Sequence, residues 1–214
     1  MDVINDKSEA QILLDEQRRK NSKIALIPTM GNLHDGHLSL IELAREHADY
    51  VVVSIFINPM QFTDNKDFDD YPRTLESDIE KLNLANVSLL FLPDCSSIYP
   101  YGIDHAAKVI IPEMSNDLCG KVRPGHFEGV TSIVLRLFNI IKPDFSIFGQ
   151  KDFQQKLLIE WMATDLSLGI NIIGAPIIRE DNGLAMSSRN QLLSSTAKLT
   201  AAKLYETLVE ASGS

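Results

Sequence analysis

Two patterns of apolar residues alternate along this chain. Compact apolar runs at residues 24–27, 50–57, 87–92, 145–148 and 170–177 are rich in β-branched and aromatic residues, as expected for strands covered on both faces. Residues 109–111, just before Pro112, predict one more short strand. Between the runs, helical spacing of apolar residues predicts helices over 8–20, from His37 to near His47, over 75–84 and 130–141, and in a stretch ending near 168. A last amphipathic helix is expected over 195–209. In the first helix, Ile12, Leu13 and Gln17 are expected to share one face. Strands separated by helices of this length imply an α/β fold, with a parallel sheet and right-handed crossovers.

The chain has 214 residues, 44% of them apolar, which is enough for one substantial domain or one domain and part of another. Its formal charge of −9 argues against a general nucleic-acid or anionic-membrane binder, so no nucleic acid and no membrane are expected as partners. An anionic ligand must then be held by a few placed groups. The two cysteines, Cys95 and Cys119, are too few for a disulfide framework and lack metal-ligand spacing. The first twenty residues lack the apolar core of a secretory signal, and no apolar run is long enough to cross a bilayer. A cytoplasmic protein is expected.

In an open parallel sheet, ligands collect beyond the C-terminal ends of the strands, where helices begin. The segment Met30-Gly31-Asn32-Leu33-His34-Asp35-Gly36-His37 follows a predicted strand and opens a helix that Asp35 is placed to cap. A helix N-terminus accepts anions and disfavours protonation of a nearby imidazole, so His34 and His37 could donate hydrogen bonds to phosphate oxygens. A tight turn with exposed histidines is the plainer alternative. A zinc pair lacks the third ligand that a catalytic zinc requires, and no protein metal site is assigned. Residues 63–73 carry Asp64, Asp67, Asp69 and Asp70. They read as a solvated acidic loop in preference to a mobile loop or a magnesium-facing edge.

Two further segments also follow predicted strands. Gly149-Gln150-Lys151-Asp152 precedes Gln155, and Gln61 follows Asn58-Pro59-Met60. Lys151 and Arg189 are candidate cations for phosphate oxygens, or else members of surface ion pairs. Ser187 and Ser188 can donate hydroxyl bonds, although paired serines are also ordinary in turns. Asp152 reads as a helix cap. Gln61 and Gln155 are neutral amides, which suit a carboxylate substrate that must stay nucleophilic. Arg123 and His126 either approach the substrates or form a structural turn.

Six blocks together resemble the pantothenate synthetases, the pantoate–β-alanine ligase family of the HxGH nucleotidyltransferase superfamily. They are residues 28–37, Phe56-Ile57-Asn58-Pro59-Met60-Gln61-Phe62, Tyr71-Pro72-Arg73-Thr74, Arg123-Pro124-Gly125-His126-Phe127, residues 148–155, and Leu184-Ala185-Met186-Ser187-Ser188-Arg189-Asn190. The resemblance implies a Rossmann-like doubly wound parallel sheet over residues 1–176, binding nucleotide and pantoate. Residues 177–214 would begin a small C-terminal lid domain, apparently truncated, so ATP binding is expected to survive and turnover to fall. It also implies an ATP-dependent ligase that joins pantoate to β-alanine through a pantoyl adenylate, with magnesium accompanying ATP and a homodimer as the assembly. By the same resemblance, residues 30–37, 149–152, Ile178 and Met186, Ser187, Ser188 and Arg189 hold ATP, with His37 catalytic. Gln61 and Gln155 hold pantoate, and Gln61 also contacts β-alanine. Another nucleotidyltransferase of the superfamily and a non-catalytic nucleotide-binding module are the competing readings.

Overall fold

The computed structural model describes residues 1–213. Six strands, β1 (Asp2–Ile4), β2 (Ile24–Thr29), β3 (Tyr50–Ile55), β4 (Leu89–Phe91), β5 (Phe145–Gly149) and β6 (Asn171–Ala175), pair in the order β1-β4-β3-β2-β5-β6. Every neighbouring pair is parallel. The helices are α1 (Lys7–Arg19), α2 (Asp35–His47), α3 (Asn65–Asp69), α4 (Leu75–Leu84), α5 (Cys95–Ile98), α6 (Cys119–Val122), α7 (His126–Ile141), α8 (Phe153–Asp165) and α9 (Ser195–Ser212).

Alternation along the central strand divides the core in two. Ile24 and Leu26 of β2 pack with Leu14 of α1, Val134 and Phe138 of α7, and Leu158 and Met162 of α8. Ala25 and Ile27 point the other way, towards Leu40 and Ile41 of α2 and Leu82 of α4. The chain thus leaves β2 on one face and β5 on the other, because right-handed crossovers running in opposite directions along a sheet must lie on opposite faces. Beyond Leu26 and Ser146 these two strands no longer pair, although β2 stays paired with β3 as far as Thr29 and β5 with β6 as far as Gly149. Pro28, with no N–H to offer a neighbour, sits where they part. The sheet therefore opens a crevice between β2 and β5, at the strand ends from which α2 and α8 start.

Several expectations change. β1 was not predicted; with only Val3 and Ile4 apolar it is too short to show a period, yet its three residues register with Leu89, Leu90 and Phe91. The strand expected over 109–111 is absent. There the Val109 N–H donates to Ser132 Oγ at 2.9 Å and its carbonyl accepts from Thr131 Oγ1 at 2.6 Å, so α7 side chains satisfy the groups a ladder would have used. In α1 the fully buried residues are Ala10 and Leu14, while Ile12 faces solvent. α9 buries Ala202 and sets Tyr205 under the Arg179 guanidinium, but Leu199, Leu204 and Leu208 stay exposed. Asp35 is the first residue of α2 rather than its cap, a position held by His34.

The loop after β2 is tied down by a carboxylate from the middle of α4. Asp78 is 1% exposed and accepts the N–H groups of Asn32 and Leu33, both at 2.8 Å, and the Thr74 hydroxyl at 3.2 Å. Replacing Asp78 with alanine strands two buried N–H donors and should lower the unfolding free energy by about 2–4 kcal/mol. Asp78→Asn, which keeps one acceptor, should lose less. Urea unfolding checks both, and an alanine variant within about 0.5 kcal/mol of the parent would contradict this role for Asp78.

Candidate active site

A cavity of about 250 Å³ fills the crevice between the ends of β2 and β5. Of the residues expected at the site, Met30, His34, Gly36, His37, Gln61, Gly149, Lys151, Asp152, Gln155, Ile178 and Met186 through Arg189 line it. Gly31, Asn32, Leu33, Asp35 and Gln150 do not. Asn32 and Leu33 are buried below the loop with their N–H groups on Asp78, whereas Asp35 and Gln150 are exposed. Within the histidine loop, then, the structure separates residues that face the cavity from residues that hold its shape.

His34 and His37 pack against each other with ring centroids 4.1 Å apart and planes tilted by 42°. Gly36 makes room for this, since a Cβ there would lie 2.9 Å from the His34 ring. The His34 N–H donates to His37 Nδ1 at 3.3 Å, which leaves Nε2 to carry the proton of a neutral His37. Burial first, and then the neighbouring His34, Lys151 and Lys81, push the His37 pKa down to about 3. Burial and Lys151 also lower that of His34, against the opposing pull of Asp35. Both imidazoles are therefore neutral near pH 7. His34 Nδ1 is buried without a hydrogen-bond partner.

Gln61 sits on a single 3-10 turn, Pro59–Gln61, immediately after β3. Its Oε1 accepts from Asn58 Nδ2 at 3.1 Å and its Nε2 donates to Met30 Sδ at 3.2 Å. Asn58 is fully buried; its Nδ2 also donates to the Gly129 carbonyl, and its Oδ1 accepts from the Tyr99 hydroxyl at 2.7 Å. The turn lies so close to α7 that a Cβ on Gly129 would come within 2.5 Å of the Met60 carbonyl oxygen, so only glycine fits there. His126, at the start of α7, bonds the Gln61 carbonyl through Nδ1 at 2.7 Å, and Arg123 Nη1 lies 3.2 Å from His126 Nε2. Both residues line the cavity.

On the other side, Lys151 pairs with Asp152 at 3.0 Å. Asp152 occupies the cap position of α8, but its carboxylate makes no capping bond and turns to Lys151 instead, so the reading of it as a cap is corrected. The segment 186–189 docks over the histidine loop through a reciprocal pair of bonds. Ser188 Oγ donates to the Asn32 carbonyl at 3.0 Å, and Asn32 Nδ2 donates to the Ser188 carbonyl at 3.2 Å. Arg189 forks onto Asp67 at 3.1 and 2.8 Å, with its guanidinium 5.3 Å from the Tyr71 ring centre. That bond holds the Asp67 carboxyl below the usual carboxylate range and raises Arg189. Residues 63–73 thus are not wholly a solvated acidic loop, because Asp67 lies on the short helix α3 and grips a cavity cation.

The sequence reading does not single out Asp78 or Tyr99 for the site, and it includes Asn58 only as the first residue of a candidate segment, with no role of its own. Asn58 carried a weak signal, an Asn-Pro step directly after a strand, while Asp78 looked like any polar residue of an amphipathic helix. Three or more His, Cys, Asp or Glu side chains placed to hold a metal ion do not occur among the described residues.

Comparison with known proteins gives the family and the fold. The family profile described as Pantoate-beta-alanine ligase matches residues 2–214. A pantothenate synthetase of Idiomarina loihiensis is 52% identical over 193 residues, covering 90% of this chain and 69% of that protein. A crystal structure of pantothenate synthetase from Thermus thermophilus superposes with a TM-score of 0.91 at 40% identity, covering 98% of this chain and 74% of that one. The pantoate-beta-alanine ligase of Francisella tularensis, crystallised with β-γ ATP and β-alanine, also gives 0.91 at 40% identity over 96% of this chain and 78% of its own. With its doubly wound parallel sheet and a profile match along nearly its whole length, this chain belongs to the pantoate–β-alanine ligase family.

Proposed function

We propose that the crevice between β2 and β5 binds ATP and pantoate side by side and carries out the reaction of the family there. The chain is an ATP-dependent ligase that condenses pantoate with β-alanine to pantothenate, releasing AMP and pyrophosphate. The observation that carries the site assignment is the division of the cavity lining. Neutral amides, Gln61 and Gln155, share one space with two neutral imidazoles and the cations Lys151 and Arg189.

In the first half-reaction a pantoate carboxylate oxygen attacks the α-phosphorus of ATP, and the bond to the bridging oxygen breaks to release pyrophosphate. Two anions must meet, so positioning and fixed positive charge supply most of the acceleration. Gln61, oriented by Asn58 and Met30, holds the carboxylate without neutralising its lone pairs, and apolar walls from Phe56, Val130 and Val134 suit the geminal methyl groups of pantoate. His34 and His37 act as neutral donors to phosphate oxygens, with His37 Nε2–H the candidate catalytic group. Met186 to Arg189 close over the phosphates; for Arg189 to use its fork there, Asp67 has to release it. In the second half-reaction the free amine of β-alanine attacks the acyl carbon, the bond to AMP breaks, and the amine gives up a proton.

The described residues offer no cluster of three acidic or histidine donors for magnesium, which would arrive on the ATP phosphates and water. Residues 177–213 contribute Ile178 and the 186–189 loop, in keeping with the start of a lid. A homodimer belongs to this reading on the family resemblance alone, and sedimentation velocity decides it. A cytoplasmic setting fits the two free cysteines, and no helix among the described residues is long and apolar enough to cross a membrane.

Pyrophosphate release from ATP and magnesium should require pantoate, and pantothenate should appear only after β-alanine is added. Pyrophosphate formed equally without any carboxylate would contradict the ligase assignment. The neutral state of His37 is checked separately by proton NMR, where its ring resonances should stay flat from about pH 8 to about pH 5. Because its folded pKa lies below the ordinary value of 6.5, the stability tied to neutral His37 is intact above about 6.5 and declines as pH falls towards about 3. His37→Asn should flatten part of the acid limb of the stability profile; an ordinary titration near 6.5 would refute the neutral-donor role.

A further inference from the structure

Three cations line the cavity, Lys151, Arg189 and Arg123. Lys151 is paired with Asp152 and Arg189 with Asp67, whereas Arg123 forms no ion pair among the described residues. Its guanidinium is fixed by one bond, from Nη1 to His126 Nε2 at 3.2 Å. His126 is held in turn. Its Nδ1–H donates to the Gln61 carbonyl at 2.7 Å, which fixes the tautomer and leaves Nε2 as the acceptor for Arg123. The chain Arg123–His126–Gln61 thus places a half-buried positive charge beside the turn that carries Gln61, through a neutral imidazole that occupies one of five guanidinium donors and cancels none of the charge.

An arginine held in this way keeps most of its donors free for an anion from outside the protein. The carboxylate of pantoate is a poor candidate, since a bidentate clamp would tie up the lone pairs that must attack phosphorus. Lys151, Arg189 and the two histidines already serve the phosphates in the reading above. One anionic group of the reaction has no charged partner, the unreactive carboxylate of the amine substrate. We propose that Arg123 binds the carboxylate of β-alanine, selecting an amino acid over a neutral amine, and that His126 is the positioning residue that aims it. The inference rests on the ligase reading of the same cavity. It has a chemical consequence as well, since a carboxylate on Arg123 carries its own ammonium group into a cationic cavity, where the free and nucleophilic amine is favoured.

The test compares β-alanine with 3-aminopropanamide, which has the same amine and no negative charge. Arg123→Gln should raise the KM for β-alanine about ten- to a hundredfold while the KM for 3-aminopropanamide hardly moves, so discrimination between the two collapses. Arg123→Lys, which keeps the charge, should recover part of it, and pantoate-dependent pyrophosphate release measured before β-alanine is added should persist in both variants. An equal loss with both amines, or no loss with either, would overturn the proposal and leave Arg123 as part of a structural turn. Loss of pyrophosphate release with the β-alanine KM unchanged would overturn it in favour of a phosphate role. Absence of pantoate-dependent pyrophosphate in the parent protein would instead remove the ligase reading, a failure visible before any amine is present.

Discussion

Everything at the site depends on the parting of β2 from β5. A right-handed crossover sends α2 to one face of the sheet and α8 to the other, and no helix can then cover the gap between the strand ends. The histidine loop and the start of α2 form one wall of that gap, and the turn from Gly149 into α8 forms the facing wall. The third side is the turn carrying Gln61 after β3, pressed against α7 at Gly129. The cavity is thus a consequence of topology, and the local sequence decides what lines it.

The electrostatic arrangement follows from the same geometry. Buried under cations, His34 and His37 stay neutral, so they can donate hydrogen bonds without adding charge that would immobilise a nucleophilic carboxylate. The strong cations stand further out, and two of them, Lys151 and Arg189, rest on the aspartates Asp152 and Asp67. Asp67 on Arg189 gives the acidic segment after β3 a plain role, as the counter-ion that holds the fork aligned.

Much of this was legible in the sequence. The buried strands have continuous apolar runs, the helices have clear spacing, and α4 was delimited at its observed ends. The cavity residues His34, His37, Lys151 and Gln61 are legible because ligand sites in this topology gather at strand ends, and all four lie in segments that directly follow apolar strand runs. Supports were harder to see. Asp78 acts forty-five residues away from Leu33, and no local pattern distinguishes a buried carboxylate from one on a solvated helix face. β1 is stabilised by pairing with β4 more than by its own composition, and residues 109–111 have strand-like composition but take their hydrogen bonds from α7. In each case a long-range partner outweighed the local preference.

The central claim is that nucleotide and carboxylate share the β2–β5 crevice. Hydrogen exchange with a non-hydrolysable ATP analogue, with and without pantoate, tests it most directly. The account predicts that the analogue protects amides in residues 30–37 and 186–189, and that pantoate adds protection at 59–61 and 153–155. Protection confined to another surface, such as the groove between Met114 and Trp161, with the crevice unchanged, would contradict it.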